Sequence, residues 1–140
     1  MRALGIDLGA KRIGVAVSDR TGTIATPLSV LLRSGSRDRD HRAIRDLVIE
    51  EEAEAVVVGL PRNMDGTLGP AGKAAVTEAE ALATVVGVPV HLSDERRTTV
   101  TAERALMEGG LDAKQRRKVV DKVAAAVLLQ HWLDGRAAQR

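Results

Sequence analysis

Residues 4–19 read LGIDLGAKRIGVAVSD, and this stretch decides the fold. Two short apolar runs, Leu4–Leu8 and Ile13–Ser18, have the pattern of β-strands and are joined by a short polar connection. A turn at Thr21-Gly22 leads into a third apolar run, about Ile24–Leu32. Three strands joined by short turns predict an antiparallel meander.

Helical and strand-like segments alternate after a polar loop predicted at Ser34–Arg39. Apolar spacing and stop signals predict helices at His41–Glu52, Ala71–Val86 and Thr99–Glu108, and a last helix that runs to about Leu133 and is stopped by Gly135. Strands are predicted at Ala55–Gly59 and Val88–Leu92. This order predicts an α/β fold, with a mixed five-stranded sheet of a three-stranded meander plus parallel strands, flanked by helices.

The composition is that of a globular protein. A chain of 140 residues fits one domain, residues 1–140, with 44% hydrophobic and 29% charged residues. The absence of cysteine excludes disulfides and thiolate metal sites. Neither a leader pattern nor an apolar run of about 20 residues is apparent, so we expect no signal peptide and no membrane partner.

Basic residues are grouped, although the net charge is only +2. The groups comprise Arg33, Arg37, Arg39 and Arg42; Arg96 and Arg97; and Lys114, Arg116, Arg117, Lys118 and Lys122. Grouped arginines are typical of nucleic-acid-binding proteins, and also of solvated surfaces. The single aromatic residue, Trp132, is expected to pack at the end of the core, so any nucleic acid would be held mainly through its phosphates.

Acidic residues occur in three separate elements. Asp7 lies inside an apolar run, where burial of a carboxylate is costly without compensation; its alternative role is hydrogen bonding within the turn. Asp94 and Glu95 follow a predicted strand, at the edge where open α/β sheets bind ligands. With Arg96-Arg97 they could instead form a salt-bridged loop.

Asp121 shares one helix face with Ala125, Leu128 and Trp132, so it is predicted to point at the body of the protein. A helix that starts near Lys118 would make Asp121 a first-turn acid, favoured by the helix dipole. A capping-box pattern at residues 112–115 offers an earlier start, which would remove that role.

Carboxylates brought together from a strand, a loop and a helix repel one another unless they bind a proton or a cation. Mg²⁺ or Mn²⁺ would suit such oxygen ligands. Two ions about 4 Å apart would clamp a phosphodiester for hydrolysis. The sequence therefore predicts that Asp7 is a metal ligand.

Four polar residues near the predicted site could contact the nucleic acid. Lys11 and Arg12, which follow Asp7, could hold the scissile strand; the alternative is that they are surface charges. Arg62 and Asn63 lie in a post-strand loop and could contact phosphate or base; the alternative for this loop is turn chemistry.

Four stretches resemble the YqgF/RuvX family, relatives of RuvC within the ribonuclease H-like superfamily. They are GIDLGAKRIGVAVSD, VVVGLPRNMDGTLGP, DERRTTVTAE and VDKVAAAVLLQHWLD, in this order over nearly the whole chain. The resemblance implies a ribonuclease H-like fold and a cytoplasmic bacterial nuclease that matures the 5′ end of precursor 16S ribosomal RNA. Older naming in the family implies Holliday-junction resolution.

The family's acidic residues match Asp7, Glu95 and Asp121, with Asp94 as an alternate metal ligand. The family usually has leucine where this chain has Arg97, which adds a charge near the site. The expected nucleic-acid contacts are Lys11, Arg12, Arg62, Asn63, Arg96, Arg116, Arg117 and Lys118.

The expected partner is structured RNA or branched DNA, bound by a monomer or homodimer. A module that binds RNA or ribosomal particles without cutting is an alternative; a phosphotransferase is disfavoured, because its phosphate hairpin requires a second domain.

Overall fold

The computed structural model describes the backbone of residues 1–94 and 113–138 and the side chains of residues 1–94 and 122–137. The elements are β1 (Ala3–Leu8), β2 (Arg12–Ser18), β3 (Ala25–Leu32), α1 (Arg37–Glu50), β4 (Ala55–Leu60), α2 (Pro70–Val86), β5 (Val90–Asp94) and α3 (Ala113–Ala138). The helix predicted at Thr99–Glu108 lies outside the described residues.

The five strands form one mixed sheet in the order β3-β2-β1-β4-β5. β1, β2 and β3 pair antiparallel, whereas β1 pairs parallel with β4, and β4 pairs parallel with β5. The predicted meander extended by parallel strands is therefore confirmed. The carboxyl ends of β1, β4 and β5 lie at the same edge of the sheet, because the three strands run in one direction.

Each face of the sheet is covered by its own helices, and alternation along β1 shows which residues face which helix. Leu4 and Ile6 pack with Ile44 of α1 and Leu82 of α2 in one apolar cluster. Ala3 belongs to a second cluster, built largely from buried residues of α3. Asp7 has the same parity as Ala3, so it belongs to the α3 face of β1.

The segment predicted as the loop Ser34–Arg39 is partly helical, because α1 begins at Arg37 rather than His41. Ser36 is the N-cap, and its hydroxyl accepts a hydrogen bond of 3.3 Å from the amide of Arg39. Two carboxylates in the first turn, Asp38 and Asp40, add favourable interactions with the helix dipole. Polar residues in this stretch form a cap and first turn, which resemble a loop in composition.

Two predicted boundaries near the candidate site were wrong. β5 runs from Val90 to Asp94, so Asp94 is the last strand residue rather than a loop residue. α3 continues past Gly135 to Ala138, because an exposed glycine costs a helix only about 1 kcal/mol.

α3 is already helical at Ala113, about two turns before Asp121. The first-turn role of Asp121 is therefore wrong, and the earlier helix start is the one observed. None of the described helices has the length and apolarity to cross a membrane.

Candidate functional site

Asp7 lies near the carboxyl end of β1 and is half-buried. Gly14 of β2 is its antiparallel neighbour. Two residues earlier on the same face, Gly5 contacts α3 so closely that an added Cβ would lie 2.7 Å from Cβ of Leu129 and 2.8 Å from the carbonyl oxygen of Ala125. This contact holds β1 against the backbone of α3 two residues before Asp7.

α3 runs antiparallel to β1. Near the start of β1, Met1 accepts a 3.4 Å hydrogen bond at its sulfur from Arg136, whereas Gly5 meets Ala125 and Leu129. Two further strand residues advance about 7 Å, and one helical turn covers a similar distance. The α3 turn that contains Asp121, four residues before Ala125, therefore lies at the level of Asp7.

The stripe predicted to share a face with Asp121 is confirmed for its described members. Ala125 and Leu128 are buried, and Trp132 packs against their cluster. The backbone thus places Asp121 on the face of α3 that covers the sheet; its side chain lies outside the described residues.

β5 places Asp94 on the opposite face of the sheet from Asp7. The ring of His91 packs on Trp132 of α3, with centroids 5.2 Å apart and an interplanar angle of 32°. His91 and Ser93 therefore face α3, and Asp94 has the other parity. Its carboxylate lies 3.9 Å from Nε of Arg62. This register argues against Asp94 as a ligand of an ion held by Asp7.

The candidate ligands are all carboxylates, which fits a hard divalent cation such as Mg²⁺ or Mn²⁺. Within residues 1–94 and the described part of α3, no three His, Cys, Asp or Glu side chains form a metal-binding group. Glu95 and the side chain of Asp121 lie outside the described residues, so the convergence of the three predicted ligands stays a prediction.

The two predicted basic contacts next to Asp7 are Lys11, in the β1–β2 turn (residues 9–11), and Arg12, the first residue of β2. The amide of Gly9 donates a 2.9 Å hydrogen bond to the carbonyl of Arg12, and a Cβ at Gly9 would meet that oxygen at 2.5 Å. Lys11 is exposed. Arg12 is half-buried, and its Nε is buried with no hydrogen-bond partner among the described residues.

The loop after β4 is closed by its own side chains. Asn63 donates to the Thr67 hydroxyl at 3.0 Å, and Arg62 donates to the carbonyl of Gly66 at 3.1 Å. Asp65 accepts a hydrogen bond from the amide of Thr67 at 2.9 Å and so stabilises the turn. Asn63 therefore stabilises the loop, whereas Arg62 combines exposure with a position near the end of β5.

The other predicted basic contacts are only partly placed. Arg116, Arg117 and Lys118 lie on the first turns of α3, the part of the helix that precedes Asp121. Their side chains are not described, and Arg96 lies outside the described residues.

Sequence reasoning missed one partly buried polar cluster. Arg33 donates to both carboxylate oxygens of Glu78, at 2.8 and 2.9 Å, and Nε2 of His41 lies 2.8 Å from the same carboxylate. Glu78 follows Ala75 by three residues on the apolar face of α2, and His41 precedes Ile44 by three on α1. Charged residues at core-facing helical positions are the signal that could have found it.

Comparisons with known proteins agree with this architecture. The family model described as "RuvX: Holliday junction resolvase" matches residues 1–135. The chain belongs to the RuvX family.

Curated relatives of this RuvX chain carry the name "Putative pre-16S rRNA nuclease". One from Mycobacterium sp. (strain KMS) is 50% identical over 138 residues, which cover 98% of this chain and 82% of that protein. Another from Listeria innocua is 44% identical over 135 residues, covering 96% of this chain and 98% of that protein.

A solved structure of T. thermophilus RuvC in complex with a Holliday junction substrate is similar to the chain, with a TM-score of 0.62 and 24% identity. The match covers 99% of this chain and 96% of RuvC. A second T. thermophilus RuvC structure gives a TM-score of 0.56 at 21% identity. These likenesses confirm the predicted ribonuclease H-like fold.

Proposed function

We propose that this RuvX chain is a metal-dependent endonuclease that hydrolyses phosphodiesters of structured nucleic acid, with Asp7, Glu95 and Asp121 as its carboxylate ligands. The observation that carries the proposal is the position of Asp7. It lies on the α3 face, level with the helical turn that contains Asp121, at the sheet edge where β4 and β5 also end. Membership of the RuvX family supports the same chemistry.

Mg²⁺ or Mn²⁺, when bound, would activate water and stabilise the charge that develops on the phosphate. The carboxylates of this chain would hold the ion. Lys11, in the connection between β1 and β2, and Arg12, the first residue of β2, would contact the phosphates of the strand being cut through their positive charges. Arg62, Arg96, Arg116, Arg117 and Lys118 would contact phosphates further along the substrate.

The favoured substrate is precursor 16S rRNA, cut during maturation of its 5′ end in the cytoplasm. The names of the Mycobacterium and Listeria relatives support this choice. A four-way DNA junction is the second candidate, supported by the description of the RuvX family and by the junction bound to RuvC. A module that binds RNA without cutting is the third, and the carboxylates argue against it, because unneutralised acids repel phosphate.

The test incubates the pure protein with precursor rRNA and with a four-way DNA junction in one buffer containing Mg²⁺, Mn²⁺ or a chelator. We expect cleavage of the RNA, dependence on the divalent ion, and no cleavage by Asp7→Asn. Asp46→Asn is the matched control, because Asp46 is an exposed carboxylate on α1. Binding of RNA without cleavage under every metal condition would favour the non-catalytic module.

A further inference from the structure

A partly buried ionic cluster is hydrogen-bonded to the β1–β2 turn, residues 9–11, which follows Asp7. Its members are Arg33, just after β3, Glu78 on α2 and His41 on α1. Arg33 forms a bidentate pair with Glu78, and the imidazole of His41 contacts the same carboxylate. His41 is fully buried, whereas Arg33 and Glu78 expose only 21% and 14% of their side chains.

Arg33 connects this cluster to the β1–β2 turn by two hydrogen bonds. Its Nε donates to the carbonyl of Gly9 at 2.8 Å, and its backbone amide donates to the carbonyl of Lys11 at 2.9 Å. The amide of Gly9 lies 3.2 Å from the carbonyl of Asp7. A guanidinium group bonded on two sides therefore holds the backbone two residues beyond Asp7.

Glu78 is held as the charged partner in this arrangement. Burial alone would raise the pKa of Glu78, but the hydrogen bonds and charges of Arg33 and His41 outweigh burial and keep this pKa below its ordinary value. The paired carboxylate in turn raises the pKa of Arg33. Asp40 of α1 also holds the segment next to Arg33, since its carboxylate accepts a 3.0 Å hydrogen bond from the amide of Ser34.

We infer that Glu78 and Arg33 are positioning residues for Asp7: they fix the β1–β2 turn and thereby aim the Asp7 carboxylate at the metal. Neither residue belongs to the proposed metal ligands or to the proposed nucleic-acid contacts. The inference rests on the proposed function, because it assigns the cluster a role toward the same site. Partners that orient metal ligands characteristically change metal affinity when they are replaced.

The chain offers a matched control for the loss of an ion pair. Arg2 and Glu51 also pair at 2.8 Å and are also partly buried, but they lie at the opposite end of β1. Glu51→Gln should remove comparable electrostatic stabilisation without disturbing the β1–β2 turn. Arg33→Lys supplies a second variant, since lysine keeps the charge opposite Glu78 but lacks the fork that bonds Gly9 and Glu78 together.

The first measurement is calorimetric titration of the full chain with Mn²⁺. We expect Glu78→Gln and Arg33→Lys to bind Mn²⁺ about tenfold more weakly than the unaltered protein, as outer-shell partners do. Glu51→Gln should bind as the unaltered protein does. Raising Mn²⁺ should restore cleavage to Glu78→Gln and Arg33→Lys, which loss of fold would not allow.

The second measurement needs no metal. The amide of Gly9 donates to the carbonyl of Arg12, and the amide of residue 33 donates to the carbonyl of Lys11. Hydrogen exchange at these two amides should become faster in Glu78→Gln and Arg33→Lys relative to amides of β4. If Glu78→Gln does not fold, hydrogen exchange and Mn²⁺ affinity of Arg33→Lys alone test the positioning role. Unchanged exchange and Mn²⁺ affinity in the folded variants would overturn the inference.

Asp7→Asn separates this inference from the proposed function. If Asp7→Asn abolishes Mn²⁺ binding while Arg33→Lys and Glu78→Gln match Glu51→Gln, the site is correct and the positioning role is wrong. If Asp7→Asn also leaves Mn²⁺ affinity unchanged, the proposed metal site fails, and the positioning role fails with it.

Discussion

The backbone of Gly5 lies directly beneath Leu129, so closely that a Cβ on Gly5 would come within 2.7 Å of Cβ of Leu129. The same added Cβ on Gly5 would lie 2.8 Å from the main-chain oxygen of Ala125. Gly5→Ala should therefore push α3 away from β1 and lower the free energy of unfolding by about 1–3 kcal/mol, the usual cost of overpacking. Urea denaturation measures this change.

Gly135→Ala is the control for that prediction. Gly135 lies in α3, and no described residue comes within 4 Å of an added Cβ, so alanine should raise the free energy of unfolding, by about 0.5–1 kcal/mol, through its better helix propensity. A Gly5→Ala protein as stable as the unaltered chain would contradict the close contact between β1 and α3.

Asp7→Asn should weaken Mn²⁺ binding while leaving the stability of the metal-free protein equal or higher. If the three carboxylates converge as proposed, removing one charge relieves their mutual repulsion in the absence of a cation. Calorimetric titration and urea denaturation without metal measure the two effects. Unchanged Mn²⁺ affinity would exclude Asp7 as a ligand, and a clear loss of metal-free stability would favour a hydrogen-bonding role.

The sheet could be predicted from sequence because its strands carry a strong local signal. Leu4–Leu8 and Ile13–Ser18 alternate, and Ala55–Gly59 is short and β-branched; all three lie within the observed strands. Boundaries made of polar residues could not be predicted equally well. The first turn of α1 and the end of β5 at Asp94 depend on capping and on pairing with Leu60, which local composition does not report.

The candidate site was predictable only as a set of residue types. Helical spacing in the sequence predicted that Asp121 and Ala125 share one face of α3. The structure was needed to show that this face covers β1 near Asp7, through the contact of Gly5 with Ala125. The cluster of Arg33, His41 and Glu78 joins three elements that are distant in sequence. No local pattern specifies such a pairing, although a carboxylate on the apolar face of α2 indicates that some partner must exist.

Replacing Arg116, Arg117 and Lys118 together should weaken nucleic-acid binding at all sequences alike. Each duplex phosphate neutralised contributes about 0.9 to the slope of log affinity against log salt, so the triple variant should show a flatter slope. Binding measured by fluorescence anisotropy between low and moderate salt tests this. A slope equal to that of the unaltered protein would mean that these residues only solvate the surface of α3.

Glu78→Gln should make stability less sensitive to acid. Because the folded-state pKa of Glu78 is lowered, its charged form stabilises the protein above its ordinary pKa of 4.5, and this contribution is lost as the pH falls through the lowered value. The variant should be less stable by about 1–3 kcal/mol at pH 7, between a surface and a buried pair.

The stability difference between Glu78→Gln and the unaltered protein should shrink below the ordinary pKa of Glu78. Urea denaturation at several pH values between 7 and 3 measures it. Glu51→Gln is the control for loss of an ion pair elsewhere. A difference that stays constant down to pH 3 would contradict a charged Glu78 in the folded protein.

Cleavage should require a divalent ion and carboxylates but no histidine. In the proposed mechanism the carboxylates would hold a divalent ion, which would supply an activated water, so no protein nucleophile is needed. Asp7→Asn, Glu95→Gln and Asp121→Asn should each lower the cleavage rate more than about a thousandfold, which corresponds to several kcal/mol of transition-state stabilisation. Initial rates on precursor rRNA and on a four-way DNA junction measure these losses in one buffer.

His91→Ala and His131→Ala are the controls, and they should keep most of the activity. His91 is exposed and packs on Trp132 on the α3 face, and His131 is exposed on α3. Full cleavage in chelator would exclude the metal mechanism. Full cleavage by Asp121→Asn would remove Asp121 from the ligand set. Because Asp121 lies about two turns inside α3, a helix-capping role would not replace it.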